Sequence, residues 1–340
     1  MLKFGLIGCG RISKKHFDSI KQLDNSSITA CCDINAKKAK SSAATHNIAN
    51  YYRDHKEMLS KEKLDAVIIC TPSGLHPEIG IDAANAGLHV ITEKPMAINL
   101  KEADKLIKAC DHNKVKLFVV KQNRLNPTMK FLKNAIRKNR FGRIYLAQSN
   151  VFWQRPQSYY DLARWRGTWE FDGGAFMNQA SHYVDALHWL IGEVDYVMAE
   201  TATMARNIET EDTGSAIIKF RNGVIATLNV TMLTYPKNFE GSVTILGENG
   251  TAKLGGIAIN KIEKWEFSNY DDDDKKIEES NYNPMSVYGH GHLPYYKNVV
   301  SSLLGQTVPN TDGREGRKSL EIIKAIYKSA KYGKKIALPL

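Results

Sequence analysis

The sequence predicts an α/β chain: a doubly wound parallel sheet first, then an α+β domain built on a largely antiparallel, open sheet. Three observations carry that expectation. Apolar runs alternate with amphipathic segments as far as residue 121, the pattern of strands covered on both faces by helices. A glycine turn joins the first run to the first amphipathic segment. After Arg124 the period changes, and short alternating segments are joined by turn signals such as "RNG" and "GENG". A chain of 340 residues exceeds one ordinary core. The expected domains are 1–121 and 122–340, with the C-terminal segment packing back toward the first.

"LKFGLIGCGRISKKHF" reads as strand, turn and helix, the context in which G-x-G-x-x-G carries weight. Gly8 permits the tight turn, Gly10 lets backbone approach a pyrophosphate, and Ser13 stands as a small residue where the third glycine would be. The helix start then offers unpaired N–H groups to an anion. The second strand, "SITACCDIN", ends at Asp33, where a carboxylate suits a ribose diol and disfavours a 2′-phosphate, so NAD is expected over NADP. "KLDAVIICTP" reads as a buried strand, "PEIGIDAANAG" as a helix closed by Gly87, and "LHVIT" as a strand. "LKEADKLIKACDHN" is the next helix and "VKLFVV" the last strand. Ligands of such sheets bind beyond the carboxyl ends of the strands. Thr71, Pro72, Glu93, Lys94 and residues 121–124 therefore share one rim, and the charges that follow "VIT" at Glu93 and Lys94 stand on it.

In the second domain, "RIYLAQSNVFW", "DTGSAIIKF", "GVIATLNVTM", "GSVTILGENGTAKL" and "KIEKWEF" read as strands of hairpins. "DGGAFMNQASHYVDALHWLIG" reads as a helix capped by Asp172, with Gly173 and Gly174 in its first turn and Gly192 at its end. Phe176, Ala180, Tyr183, Leu187 and Leu190 form its apolar stripe. Asn178, His182 and Asp185, at i, i+4 and i+7, share another face. His182 on that face is either a functional base or a hydrogen-bonded structural histidine. Trp153, Arg155, Tyr159, Tyr160, Arg164, Trp165 and Arg166 form an aromatic and basic cluster. It reads either as core with surface charge or as a wall that stacks a base or sugar and pairs with carboxylate or phosphate. "NYDDDDKKIEES" reads as a solvated loop.

The bulk numbers exclude other classes. The +11 formal charge comes from 47 basic and 36 acidic residues spread along the chain, without an arginine-rich arm or zinc-finger spacing, so no nucleic-acid partner is expected. A broad positive field equally steers a small anionic ligand. No apolar run approaches the ~20 residues needed to cross a bilayer, and the N-terminus lacks a signal-peptide layout. The five cysteines show no C-x-x-C pair. A cytoplasmic protein with reduced thiols, no membrane association and no metal is expected.

"GCGRIS", "CTPSGLH", "EKPM" and "DGGAFMNQASHYVD" together resemble the Gfo/Idh/MocA family of NAD(P)-dependent sugar oxidoreductases. The resemblance implies a Rossmann domain followed by a domain on a largely antiparallel sheet, with "REGRKSLEIIKAIYKSAKYGKKIAL" as the closing helix and strand. It brings Arg11, Ile12, His76 and Asn123 among the cofactor contacts. "VKQNRLNPTMKFLKNAIRKNRFGRIY", "YYDLARWRGTWEFDGGAFMNQASHYVD" and "YGHGHLPYY" narrow it to WlbA-type UDP-N-acetyl-2-amino-2-deoxy-D-glucuronate dehydrogenases. That group oxidises the sugar C3 hydroxyl to a ketone, ahead of a transaminase and an acetyltransferase in bacterial surface-polysaccharide synthesis. The resemblance also implies a homotetramer.

Carried onto this chain, the resemblance makes Lys94 and His182 the catalytic residues. Asn178 stands where many relatives have aspartate, which lessens the push on the histidine's basicity. His182 is the expected proton acceptor and Lys94, as ammonium, the donor to the developing alkoxide. The roles exchange if the lysine is neutral. Glu93 is expected to hold Lys94 or border the nicotinamide, and Pro95 to fix the turn. Arg155, Tyr159, Arg166, Asn178 and Gln179 are the substrate-binding candidates, with Lys94 and His182. Tyr235, Lys237 and His292 are weaker ones. Two other readings use the same fold: a dehydrogenase of a free polyol such as inositol, and a cofactor-sensing regulator without turnover.

Overall fold

A strand with every residue apolar needs cover on both faces. The computed structural model, which describes residues 1–283 and 287–340, supplies it in the first of two compact units. These are Met1–Lys121 with His292–Arg317, and Gln122–Gly291 with Lys318–Leu340.

The first unit runs β1 (Leu2–Ile7), α1 (Ser13–Ile20), β2 (Ser26–Cys32), α2 (Ala36–His46), β3 (Asn50–Tyr52), α3 (His55–Lys61) and β4 (Ala66–Ile69). It continues with α4 (His76–Asn85), β5 (His89–Thr92), α5 (Leu100–His112) and β6 (Leu117–Val119). The strands lie in the order β3-β2-β1-β4-β5-β6, and all pairs are parallel. Ala66 to Ile69, Val90 and Ile91 are wholly buried. Asn35 and Asn99 cap α2 and α5 by accepting backbone N–H bonds, and Gly87 follows α4 at φ 76°. The short β3 and α3 gave no readable period in the sequence. The order reverses between β1 and β4, the switch point at which such sheets open a crevice. The helix His292–Leu303 belongs to this unit and buries Tyr295, Tyr296 and Val299.

The second unit holds α6 (Pro127–Arg137), β7 (Ile144–Phe152), α7 (Gln157–Asp161), α8 (Ser181–Ile191), β8 (Val194–Ala202) and β9 (Thr213–Phe220). Then come β10 (Ile225–Thr231), β11 (Glu240–Gly247), β12 (Gly250–Gly255), β13 (Lys261–Phe267) and β14 (Ile336–Ala337). Its strands follow the order β13-β12-β11-β7-β10-β9-β8-β14. Every pair is antiparallel except β7 with β10. One face buries Ile218, Leu228, Val230, Val243 and Ile245, and α8 packs against β7 and β10. The other face is open and carries Met198 beside Ile217 and Leu146 beside Ile225.

The aspartate run is on the surface, as expected, but it is an ordered turn rather than a loop. Asp272–Lys276 forms a 3₁₀ turn capped by Asp271, and Asp274 accepts from both terminal nitrogens of Arg140 (2.6 and 2.8 Å) and from Trp265 Nε1 (2.7 Å). Burial raises the Asp274 carboxyl, but these bonds outweigh it and hold it at about 2. Asp271 and Asp273 pair with Lys138 and Asp274 with Arg140, while Asp272 stays exposed beside Lys275.

Candidate active site

In the first unit the glycine turn follows β1. Gly8 has φ +98°, and a Cβ there would lie 2.7 Å from the Cys70 carbonyl carbon, so only glycine fits. A Cβ at Gly10 would meet nothing within 4 Å, which leaves its backbone open to approach. Arg11 is exposed, Ile12 immediately precedes α1, and Ser13 Oγ donates to the Gly10 carbonyl at 2.6 Å. Asp33 Oδ2 accepts from Cys9 N at 2.9 Å and Oδ1 from Asn35 N at 2.8 Å, so the acid at the end of β2 also braces the turn. Thr71 and Pro72 follow β4, and the buried Thr71 Oγ1 has no hydrogen-bond partner among the described residues. An open glycine backbone, a helix start, a strand-end carboxylate and an orphan hydroxyl suit a dinucleotide.

His76 is buried and joins two turns of the rim. Its Nε2 lies 2.9 Å from the Thr71 carbonyl and its Nδ1 2.8 Å from the Pro95 carbonyl, and burial lowers its pKa. Glu93 is buried as well. Its Oε1 meets His16 Nε2 at 3.0 Å, and its Oε2 accepts from Lys94 N at 3.1 Å. His16 Nδ1 lies 2.6 Å from the Tyr296 hydroxyl, so a chain of hydrogen bonds runs from Tyr296 to the Lys94 backbone. Burial raises the Glu93 carboxyl. The His16 bond and the nearby positive charges of His16 and Lys94 outweigh it and hold it at about 2. Lys94 is half-buried, and its bond to Pro95 is cis. The ligating atoms of His16, Glu93 and His292 lie within 4.8 Å of one another. His16 and Glu93 already bond to each other, which satisfies both without an ion. Burial first, then the charge of His16, lowers His292 to about 3 and keeps it neutral.

In the second unit the helix begins later than its sequence suggests. Gly173 and Gly174 have φ +82° and +98° and lie outside it, Ala175–Gln179 forms a π turn, and α8 starts at Ser181. Asp172 does not cap it. Its Oδ2 accepts from Gly167 N at 2.7 Å, and its Oδ1 accepts from the Asn178 amide. The π turn places Asn178 outside α8, while His182 and Asp185 stay three residues apart within it. Asp185 is buried in a double bond to Arg124 (2.7 Å each). His182 Nε2 instead lies 3.1 Å from Gln122 Nε2; with that amide donating, the ring proton sits on Nδ1. Asn123, in the same turn as Gln122, is buried, and its Oδ1 has no hydrogen-bond partner among the described residues.

Four predicted substrate residues come together. Arg155 Nη2 donates to Gln179 Oε1 at 3.0 Å, and Gln179 Nε2 donates to the Tyr159 hydroxyl at 3.2 Å. The Arg166 guanidinium lies 4.0 Å from the Tyr159 ring centre and that of Arg155 5.3 Å from it. Arg166 Nε is buried with no hydrogen-bond partner among the described residues. Trp153 and Tyr160 are buried, so the cluster is part core and part cationic wall. Tyr235 is 92% exposed on a loop, and Lys237 is exposed too. Sequence reading placed Gln122 on the rim without a role and missed His16, Glu211 and Tyr327. Glu211, buried, and Tyr327, half-buried, are partners of the π turn, and only nearness in space, not spacing in the chain, relates them to it.

Comparison with known proteins follows the same division. Residues 2–121 match an oxidoreductase family's NAD-binding Rossmann fold, and residues 133–338 match that family's C-terminal alpha/beta domain. The chain is similar over its whole length to the WlbA dehydrogenase of Bordetella pertussis in complex with NADH and UDP-GlcNAcA, at 53% identity, 98% coverage of that chain and a TM-score of 0.97. The corresponding complex of the Chromobacterium violaceum enzyme is 51% identical, with 100% of this chain and 96% of that one covered and a TM-score of 0.95. D-apiose dehydrogenase of Paraburkholderia graminis is 25% identical over 99% of this chain and 89% of its own length.

Proposed function

The chain belongs to the Gfo/Idh/MocA oxidoreductase family, and on that premise we propose that it is the NAD-dependent dehydrogenase of UDP-N-acetyl-2-amino-2-deoxy-D-glucuronate, oxidising the C3 hydroxyl to a ketone. The observation that carries the substrate class is the wall of Arg155, Tyr159, Arg166 and Gln179, whose guanidinium groups lie against one aromatic ring. Such a wall suits a ligand with diphosphate and carboxylate charges. The 53% likeness to an enzyme bound to UDP-GlcNAcA supports it.

Gly8, Gly10, the start of α1, Asp33 and Thr71 would hold the dinucleotide, which when bound accepts a hydride from the sugar carbon. The chain's own task is the hydroxyl proton. His182 takes it at Nε2 once the Gln122 amide yields that lone pair to the substrate. Lys94, anchored through its backbone by Glu93, donates to the oxygen as charge develops. The open apolar face of the second sheet fits a homotetramer. Among the described residues no helix is long and apolar enough to cross a membrane, which accords with cytoplasmic work on a precursor of surface polysaccharide.

The test is a single-turnover absorbance scan of the NAD-loaded enzyme. Appearance of reduced nicotinamide with the UDP-uronate, and not with UDP-N-acetylglucosamine, is the expected result. Reduction by free inositol with no response to the uronate would turn the assignment to a polyol dehydrogenase.

A further inference from the structure

The π turn Ala175–Gln179 starts without a side-chain cap, because Gly174 precedes it. Its first N–H groups need acceptors from elsewhere. Phe176 N donates to Glu211 Oε1 at 2.8 Å, and Met177 N donates to the Tyr327 hydroxyl at 3.1 Å. That hydroxyl also lies 2.6 Å from the Gly173 carbonyl oxygen and 2.8 Å from Glu211 Oε1. A phenol has one proton to give, whereas Gly173 O and an ionised Glu211 are both acceptors only. One proton is missing. A neutral Glu211 provides it: the carboxyl donates to Tyr327, Tyr327 donates to Gly173, and each short contact holds a hydrogen. With a carboxylate, one pair of oxygens faces across less than 3 Å with nothing between.

The other carboxyl oxygen gives the same answer. Glu211 is 3% exposed, and its Oε2 has no hydrogen-bond partner among the described residues. Oε2 lies against Gly174, where a Cβ would come within 2.0 Å. Among the described residues no cation pairs with it. Asp172, on the loop before the π turn, adds like charge. Asp212, next in the chain, accepts from the N–H groups of Met204, Ala205 and Arg206, and Glu209 accepts from Trp169 N. Lys324, on the same helix as Tyr327 (Gly313–Tyr332), lies over the Tyr327 ring at 5.8 Å from its centre rather than on the carboxyl. Burial raises the carboxyl to about 7, against the pull of the Phe176 and Tyr327 bonds.

We propose that Glu211 is a positioning residue held as a neutral carboxylic acid, and that loss of its proton loosens the π turn carrying Asn178 and Gln179 and weakens the site above neutral pH. The effect on turnover rests on the substrate reading given above; the protonation state does not.

Difference infrared spectroscopy of the full chain tests the proton directly. Wild type is expected to show a protonated-carboxyl C=O stretch at about pH 6 that disappears with a midpoint of about 7. Glu211→Gln is expected to lack it at every pH. In parallel, kcat/KM of wild type is expected to fall about tenfold per pH unit beyond that midpoint, a limb that Glu211→Gln lacks. A carboxylate already present in wild type at pH 6, or an unchanged alkaline limb in Glu211→Gln, overturns the proposal. If Glu211→Gln does not fold, Tyr327→Phe serves: the stretch must move when its acceptor is removed, and an unmoved stretch overturns the proposal equally. An enzyme silent toward the nucleotide sugar but showing the stretch refutes the substrate reading alone.

Discussion

Glu93 illustrates how a buried charge is kept at a working edge. Its carboxylate has one oxygen on His16 and the other on the Lys94 N–H, and its pKa is held at about 2 against an ordinary 4.5. Folding thus favours the ionised form. The contribution is complete above the unfolded value near 4.5 and is lost as pH falls through about 2. A shift of that size is on the order of 3 kcal/mol. Glu93→Gln is expected to lower Tm at pH 7 and to converge with wild type toward pH 2, as calorimetry across that range would show; a deficit independent of pH removes the linkage. In the proposed mechanism Lys94 acts on the substrate rather than on stability. Lys94→Ala is expected to lower kcat by about 10²- to 10⁴-fold while NAD still binds, as rapid-quench turnover and NAD titration would measure. Retention of most turnover removes Lys94 from the mechanism.

At the scale of elements, the piece that carries Asn178 and Gln179 is a π turn, not the first turn of a regular helix, and it is held from outside. Asp172, Glu211 and Tyr327 bind its approach and its first N–H groups, and α8 behind it is pinned by the buried Arg124–Asp185 pair. Breaking one partner of such a pair strands a charge. Asp185→Ala is expected to destabilise the protein by about 3–5 kcal/mol, whereas replacing Arg124 and Asp185 together with leucine costs less. Denaturant titration of the three proteins decides it; a single variant no worse than the double removes the argument. The glycines before the turn are required for separate reasons. Gly173 and Gly174 both take positive φ, and Gly174 also admits Glu211.

At the scale of the whole molecule, the second sheet leaves one face open. Met198 and Ile217 are directly paired across β8 and β9, and Leu146 and Ile225 across β7 and β10; each is 37–49% exposed. The two pairs lie diagonally to one another, with Lys219 and Thr227 as their neighbours across β9 and β10, and such exposed apolar pairs suit cover by a second copy. Ile217→Arg is expected to reduce the assembled mass to that of a smaller species by light scattering, with each unit's secondary structure intact. An unchanged mass would place the subunit contact elsewhere. The excess of 47 basic over 36 acidic residues acts at this scale too, as a field that favours a polyanionic nucleotide sugar.

Periodicity and turn chemistry made much of this legible in the chain itself. Buried parallel strands, the glycine turn and Asp33 announced a dinucleotide fold, because runs such as "AVII" have no other stable environment and Gly8 no other residue that fits. The alternation in residues 144–152 and 213–231 likewise foretold a sheet with one open face. Tertiary structure alone decided where the polar groups were spent. Helical spacing put Asn178, His182 and Asp185 on one face, but the π turn took Asn178 out of the helix and Arg124 engaged Asp185 in a double bond. The aspartates of residues 271–274 looked solvated until Arg140, Lys138 and Trp265 met them from distant parts of the chain. Glu211 carried no local signal, because its proton depends on Tyr327, 116 residues away. Periodicity reports which face is buried; the partner of a buried polar atom is set by packing between elements, and a linear pattern does not encode it.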